Sequence, residues 1–233
     1  MTPLRVLLLG GTSEARALAA ALERDPTVTV TSSLAGRVAE PRLPVSDTRV
    51  GGFGGVDGLV RWLVEERTDL LIDATHPFTA AISTAAAWAA CRTGIPLLRL
   101  SRPEWRAESG DRWYQVDTLT EAAQLLPGLG SRAFLTTGRQ RLAEFAQLSG
   151  LWFLVRTIDP PAPPVPTHMQ LVLDRGPYTE ESERDLMLQY SIQVLVTKNG
   201  GGDATASKLA AAAAWDCRRS WCGGPRPPAA SSL

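Results

Sequence analysis

Residues 3–37, PLRVLLLGGTSEARALAAALERDPTVTVTSSLAGR, decide how the rest of the chain is read. Residues 5–9 form a short apolar run closed by glycine, the pattern of a buried parallel strand. Thr12 or Ser13 is placed to cap a helix, SEARALAAALERD carries Ala and Leu at helical spacing, and Asp25-Pro26 stops it. TVTVTSS is rich in β-branched residues and reads as a second strand. A strand entering glycines and then a helix is where backbone N–H groups hold an anion. The stretch nevertheless lacks the G-x-G-x-x-G spacing of the usual dinucleotide fingerprint.

Working outward, the same plan recurs. GGFGGVDGLVRWLVEE is a glycine loop running into an amphipathic helix, DLLIDATHP a third strand ending in a loop, FTAAISTAAAWAACRTG a helix with a glycine stop, and IPLLRLSRPEW a fourth strand. The pattern restarts at SRAFLTTGRQRLAEFAQL, read as strand, glycine loop and helix. LWFLVRTID is a strand and the proline-rich PPAPPVPTH a loop or stiff linker. MQLVLDRGPYTEESERDLMLQYS gives strand, Gly-Pro turn and helix. IQVLVTKNGGGDATASKLAAAA gives strand, glycine loop and helix once more. The expected fold is α/β: two Rossmann-like lobes with mainly parallel sheets and a cleft between them. The boundary is placed in SRPEWRAESGD, giving an N-terminal lobe over residues 1–105 and a C-terminal lobe over residues 106–233.

The chain has 233 residues, is 44% hydrophobic and carries no formal net charge. That gives no reason to expect nucleic acid or an anionic membrane surface. No apolar run is long enough to span a bilayer, and MTPLRVLLLGG lacks a signal peptide's cleavage site. Three cysteines make no disulfide framework, and two histidines with scattered cysteines make no structural zinc site. A cytoplasmic protein without a metal centre is expected.

Four strand-to-loop junctions carry polar residues: GGTSE, DATHP, TTGRQ and TKNGGG. Each alone reads as a turn, with glycine for positive φ and Thr or Asn for capping. Together they suit a site, because open α/β sheets bind ligands at the carboxyl ends of their strands. Gly10 and Gly11 let the backbone approach an anion, Thr12 and Ser13 add hydroxyl donors, and Glu14 is assigned to the helix start. NAD-binding domains place an acid after the second strand to hold the ribose 2′-OH. Here that region reads TSSLAGR, with Ser32, Ser33 and Arg37 and no acid before Glu40. Hydroxyls and a guanidinium suit a 2′-phosphate, which leans the reading to NADPH. Arg37 reads equally well as an exposed loop arginine.

LLLGGTSEARALA, SSLAGRV, RVGGFGGVDGL, DATHPF, RLSRPEW, FLTTGRQ, LDRGPYT and VLVTKNGG, in this order over residues 4–214, resemble the precorrin-6A reductases of cobalamin biosynthesis. The resemblance implies an NADPH-dependent reductase that adds hydride to one double bond of an anionic corrin precursor and yields precorrin-6B. It also implies hand-over from neighbouring pathway enzymes. By motif position, Gly10, Gly11, Thr12, Ser13, Ser33, Arg37, Thr75, Lys198 and Asn199 are expected to hold the cofactor. Thr137, Gly138, Arg139 and Gly201 are expected at the substrate. Members of the family usually carry Ser where this chain has Gly200. Arginines near the junctions suit the ring's carboxylates, Arg139 foremost. Hydride transfer needs positioning more than a protein acid, but a proton must still reach the reduced ring. His76 is the candidate donor, with Asp73 to orient it or its loop. The alternative for His76 is a loop-ordering hydrogen bond before Pro77. The alternatives for the chain are a cobalt-precorrin-6A reductase of the anaerobic route, and a non-redox tetrapyrrole-binding protein or lyase of similar two-lobed fold.

The tail departs from the pattern. AAAAWDCRRSWCGGPRPPAASSL mixes Trp, Cys, Arg and Pro with no period where a last apolar strand is expected. Back-translated into high-GC codons and read two bases later, WDCRRSWCGGP becomes Gly-Leu-Pro-Ala-Val-Val-Val-Arg-Arg-Pro. That sequence is a turn, a β-branched strand and a basic end. A frameshift near Trp215 is therefore expected, with truncation of the tail costing little and restoration of the strand stabilising; the alternative is a true disordered tail.

Overall fold

The computed structural model describes residues 2–36, 46–202 and 206–214, and the backbone of 218–222. The chain divides into two compact units, Met1–Ser101 and Arg102–Pro225, so that the division falls within SRPEW.

The first unit runs β1 (Leu4–Leu9), α1 (Ser13–Leu22), β2 (Val28–Leu34), β3 (Asp47–Val50), α2 (Val56–Glu65), β4 (Leu70–Asp73), α3 (Ala80–Thr93) and β5 (Leu97–Arg99). Its sheet has the order β3-β2-β1-β4-β5, and every pairing is parallel. Alternation along β1 explains why both faces are covered. Val6 and Leu8 join Val30 and Ile72 against Ala15 and Ala19 of α1. Leu7 and Leu9 join Leu71 against Leu59 and Leu63 of α2 and the alanines of α3. The chain reverses direction across the sheet between β1 and β4, so the crevice at their carboxyl ends is the topological switch point.

The second unit runs β6 (Trp113–Val116), α4 (Leu119–Leu129), β7 (Arg132–Leu135), a 3₁₀ segment (Arg139–Phe145), β8 (Trp152–Thr157), β9 (Met169–Leu173), α5 (Glu180–Gln189), β10 (Val194–Lys198), α6 (Ser207–Ala214) and β11 (Arg218–Cys222). The sheet order is β6-β11-β10-β7-β8-β9, again all parallel. One face packs Leu135, Phe153 and Val196 against Leu126 of α4 and against Leu142 and Phe145. The other packs Phe134, Leu154 and Leu195 against Met187 of α5 and against Ala211 and Ala212 of α6.

Three elements differ from the sequence expectation. Residues 139–145, read as an ordinary helix, are 3₁₀ with a non-helical Arg141. Leu142, Phe145 and Leu148 recur every three residues and all meet the core, the period of a 3₁₀ turn and not of an α-helix. β3, unrecognised in the sequence, is four residues long at a sheet edge, with Val50 its sole large apolar side chain. The third is the tail. Arg218–Cys222 is no loose end but an inner strand, in register with Val194–Lys198 on one side and, through Arg219–Cys222, with Trp113–Val116 on the other. Backbone hydrogen bonds on both edges hold such a strand whatever its side-chain period. The shifted reading frame would put Ala-Val-Val-Val-Arg on these same five positions.

β6 joins the sheet through β11 alone. Ending the chain at Ala214 is therefore expected to detach β6 and lower the melting temperature by about 10 °C or more, from several lost ladder bonds. Replacing the residues after Ala214 by Gly-Leu-Pro-Ala-Val-Val-Val-Arg-Arg-Pro is expected to raise it above that of the present chain. Thermal melting of the three chains checks both. An unchanged melting temperature on truncation would mean that β11 adds nothing to the fold.

Candidate functional site

At the end of β1 the chain turns through Gly10 and Gly11. The Gly10 N–H donates to the Ser33 carbonyl at 2.9 Å, so this amide serves the fold. Gly11 has φ +112°, and a side chain there would meet nothing within 4 Å. The turn is thus open above Gly11, and the first N–H groups of α1 lie beyond the reach of its carbonyls. Thr12, expected to offer its hydroxyl to a ligand, is buried. Its Oγ1 accepts from the Ala15 N–H at 3.1 Å and donates to the Ala74 carbonyl at 3.0 Å. Both functions of that hydroxyl are spent on capping α1 and on tying the turn to the loop after β4. The Ser13 hydroxyl donates to Glu14 Oε2 at 3.0 Å. The turn therefore offers an anion its backbone more than its hydroxyls.

The loop after β4 starts at Asp73, which is 3% exposed. Its Oδ1 accepts from the Thr75 N–H at 3.1 Å and Thr75 Oγ1 at 2.6 Å, and its Oδ2 lies 3.9 Å from Arg99 Nε. Asp73 thus shapes the loop and leaves His76 to other contacts. His76 Nδ1 accepts from the Phe78 N–H at 3.3 Å, and the His76 carbonyl accepts from the N–H and hydroxyl of Thr79. With Nδ1 accepting, the proton of the neutral imidazole sits on Nε2. Gly10, Gly11, Thr12, Ser13, Ser33, Asp73, Thr75 and His76 thus gather at the carboxyl edge of one sheet. Arg37 lies outside the described residues.

The other expected residues belong to the second unit. Gly138 has φ +85° and open space above it. Arg139 Nη1 lies 3.5 Å from Asp159 Oδ2. Thr137, two residues past β7, and Thr197, near the end of the adjacent β10, are both buried, and neither hydroxyl has a hydrogen-bond partner among the described residues. Buried hydroxyls without partners are rare enough to mark a place where a ligand or water belongs. Lys198 is half-buried at the end of β10. Asn199, expected to reach the pyrophosphate or the substrate, clamps Trp105: its Oδ1 accepts from the Trp105 N–H at 3.0 Å and its Nδ2 donates to the Trp105 carbonyl at 3.4 Å. Gly201, expected at the substrate, has a steric reason to be glycine. A Cβ there would stand 2.2 Å from the Pro103 carbonyl oxygen.

Sequence reading missed a buried charge cluster at the carboxyl ends of β8 and β10. Arg156 Nη2 donates to Glu183 Oε1 at 2.6 Å, Tyr178 stacks on the guanidinium at 3.7 Å, and Lys208 lies 5.2 Å from the Trp105 ring centre. Lys208 is 7% exposed. Burial, then repulsion from Arg156, lowers its ammonium to about 8, against the opposing pull of Glu183. The available signal was composition: Lys208 is one of only two lysines, beside 22 arginines. An arginine cannot shed its proton; a lysine can.

Because the folded value of about 8 lies below the ordinary 10.5, the unfolded chain binds more protons between these limits. The parent's stability therefore gains from Lys208 as pH rises from about 8 to 10.5, and below 8 the charged form costs on the order of 3 kcal/mol. Lys208→Met is expected to melt several degrees above the parent at pH 7, with the gap closing across that window. A gap that stays constant from pH 8 to 10.5 would show that folding does not shift the proton affinity of Lys208.

Residues 5–227 match the family model described as Precorrin-6x reductase CbiJ/CobK. A precorrin-6A reductase of Rhodococcus erythropolis is 55% identical over 210 residues, 90% of this chain and 85% of that protein. A cobalt-precorrin-6A reductase of Priestia megaterium is 32% identical over 222 residues, 89% of this chain and 85% of that protein. A solved structure described as CobK precorrin-6A reductase aligns with a TM-score of 0.92 at 39% identity, over 99% of this chain and 91% of that one. The likeness extends through both units, and the chain belongs to the precorrin-6x reductase CbiJ/CobK family.

Proposed function

We propose that this chain is a precorrin-6A reductase of cobalamin biosynthesis, reducing one double bond of precorrin-6A with NADPH to give precorrin-6B. The carrying observation is the 55% identity to a relative of that name across 90% of the chain. The metal-free substrate follows that relative in preference to the less similar cobalt enzyme. No helix among the described residues is long and apolar enough to cross a membrane, in keeping with water-soluble substrate and cofactor.

The residues at the switch point fit a dinucleotide. Gly11 leaves the backbone uncovered at the start of α1, and no acid stands at the end of β2, where an NAD site would carry one. Gly11 and the first amides of α1 would hold the pyrophosphate and Ser33 the adenosine ribose, with Thr75 lining the loop beside it. NADPH supplies the hydride. The chain's own work is to hold the ring and to deliver or admit a proton. In the second unit, Arg139, the hydroxyls of Thr137 and Thr197 and the open backbone at Gly138 are polar groups suited to a polycarboxylate ring. His76 Nε2 is the proton-bearing atom of its loop, while Nδ1 orders the turn through Phe78.

Anaerobic single-turnover reduction of precorrin-6A with NADPH deuterated at the transferring position is expected to place the label on the ring. Label in solvent, or no reduction, overturns the reading. In the same assay His76→Asn is expected to slow the reaction less than the roughly 10²–10⁴-fold typical of a lost general acid, since Asn can still order the loop. Gly11→Val, which forces a branched side chain to φ +112°, is expected to weaken NADPH binding by at least tenfold while the chain still melts cooperatively.

A further inference from the structure

The motif RVGGFGGVDGL is left unused by the site described above, and its arginine stands on β3 beside Ser33 near the end of β2. Arg49 on β3 is in register with Ser33 on β2. Its Nη1 donates to the Gly51 carbonyl at 2.6 Å and lies 3.5 Å from Ser33 Oγ, and its Nη2 donates to the Gly52 carbonyl at 2.7 Å. The guanidinium carbon sits 3.9 Å above the centre of the Phe53 ring. Phe53 is itself fixed, edge-on to Trp62 at 5.9 Å. Its carbonyl occupies the space where a side chain at Gly58 would stand. The loop is pinned to β2 by the Gly51 N–H on the Leu34 carbonyl.

Arg49 is therefore held flat by a ring and two carbonyls. All of these are neutral, and among the described residues no carboxylate pairs with it. A guanidinium carries five N–H donors, and the two carbonyls and Ser33 Oγ use three. A rigid cation with donors to spare, next to a serine hydroxyl, beside the glycine turn and without an acid at the end of β2, is suited to a phosphate monoester.

We propose that Arg49, with Ser33, reads the 2′-phosphate of NADPH and sets the preference over NADH. This rests on the NADPH reading above. Arg49 acts as a specificity residue: it fixes which dinucleotide binds and takes no part in hydride transfer. Stacking on Phe53 keeps the fork oriented, so the phosphate meets a preorganised partner.

The test is equilibrium binding, by calorimetry, of NADPH, NADH, adenosine 2′,5′-bisphosphate and AMP to the full chain and to Arg49→Ala, Arg49→Lys and Arg37→Ala, with thermal melting as a check on folding. Arg49→Ala is expected to weaken NADPH and the bisphosphate roughly 10- to 150-fold, the loss typical of a hydrogen bond to a charged group, with NADH and AMP nearly unchanged. Arg49→Lys, which keeps the charge and loses the fork, is expected to fall between the two. Equal losses for phosphorylated and unphosphorylated ligands would mean that Arg49 only shapes the loop, and would overturn the proposal. So would an unchanged NADPH preference in Arg49→Ala, or its loss in Arg37→Ala alone. A parent chain that binds none of the four would overturn the NADPH reading and this inference together. A parent that prefers NADPH beside an indifferent Arg49→Ala overturns this inference alone.

Discussion

The hydroxyl of Thr12 is the contact on which the carboxyl edge of the first unit's sheet depends. It accepts the Ala15 N–H, which starts α1, and donates to the Ala74 carbonyl, which begins the loop carrying His76. One buried side chain thus couples the glycine turn to the loop across the switch point. Ala74 is tied again through its N–H to the Leu9 carbonyl, so the two loops cannot separate without losing both bonds. This explains why a residue that looks like a ligand donor in the sequence is occupied by the fold: its hydroxyl holds the turn after β1 and the loop after β4 together. Asp73 works in the same way. A carboxylate beside an anion site would repel the ligand, yet its charge faces Thr75 and Arg99 instead.

The second unit is organised around the opposite constraint, a buried surplus of positive charge. Arg156 pairs with Glu183, whose charge also acts on Lys208 and whose Oε2 has no hydrogen-bond partner among the described residues. Burying two cations against one anion is costly, and apolar substitutes would pack the same space more cheaply. What the cluster does hold is the approach to α5. Tyr178, on the guanidinium of Arg156, immediately precedes Thr179, whose hydroxyl caps α5 in a reciprocal box with Ser182. The loop between β9 and α5 is thereby fixed at the same edge of the sheet as the orphan hydroxyls of Thr137 and Thr197. A lysine that sheds its proton near pH 8 makes this edge sensitive to pH in a way that an arginine there would not.

Much of this was legible from pattern. Apolar runs closed by glycine located β1, β7 and β10, a run closed by ATHP located β4, and the recurrence of strand, turn and helix gave the parallel α/β class. The failures have physical causes. β3 is short, lies at an edge and has little to bury, so no alternation marks it. β11 is held by its backbone between two strands, and its side chains carry no signal of that. The 3₁₀ segment was written in the sequence as a period of three and was read as one of 3.6. In the site, residue type and position at strand ends were readable, but partner choice was not. Thr12, Asn199 and Gly201 look like ligand residues because polar groups and glycine serve both caps and ligands. Only the distances to Ala74, Trp105 and Pro103 tell the uses apart.

Missing β3 also hid the electrostatics of the carboxyl edge of the first sheet. Once Asp47–Val50 is seen to pair with Thr31–Leu34, Arg49 moves from an anonymous loop to the end of a strand beside Ser33. The field there is then consistent throughout. The start of α1 presents its positive end, Glu14 engages Ser13, Asp73 is turned to Thr75 and Arg99, and Arg49 has no carboxylate partner among the described residues. A phosphate arriving at such an edge meets an uncovered backbone at Gly11 and a cation already oriented by Phe53. The ordering cost is borne in folding, by a glycine loop that no larger residue at position 58 would allow to close over Phe53. The glycines of RVGGFGGVDGL thus serve selectivity indirectly: they let the ring lie under Arg49 and leave the guanidinium edge facing the space beside Ser33.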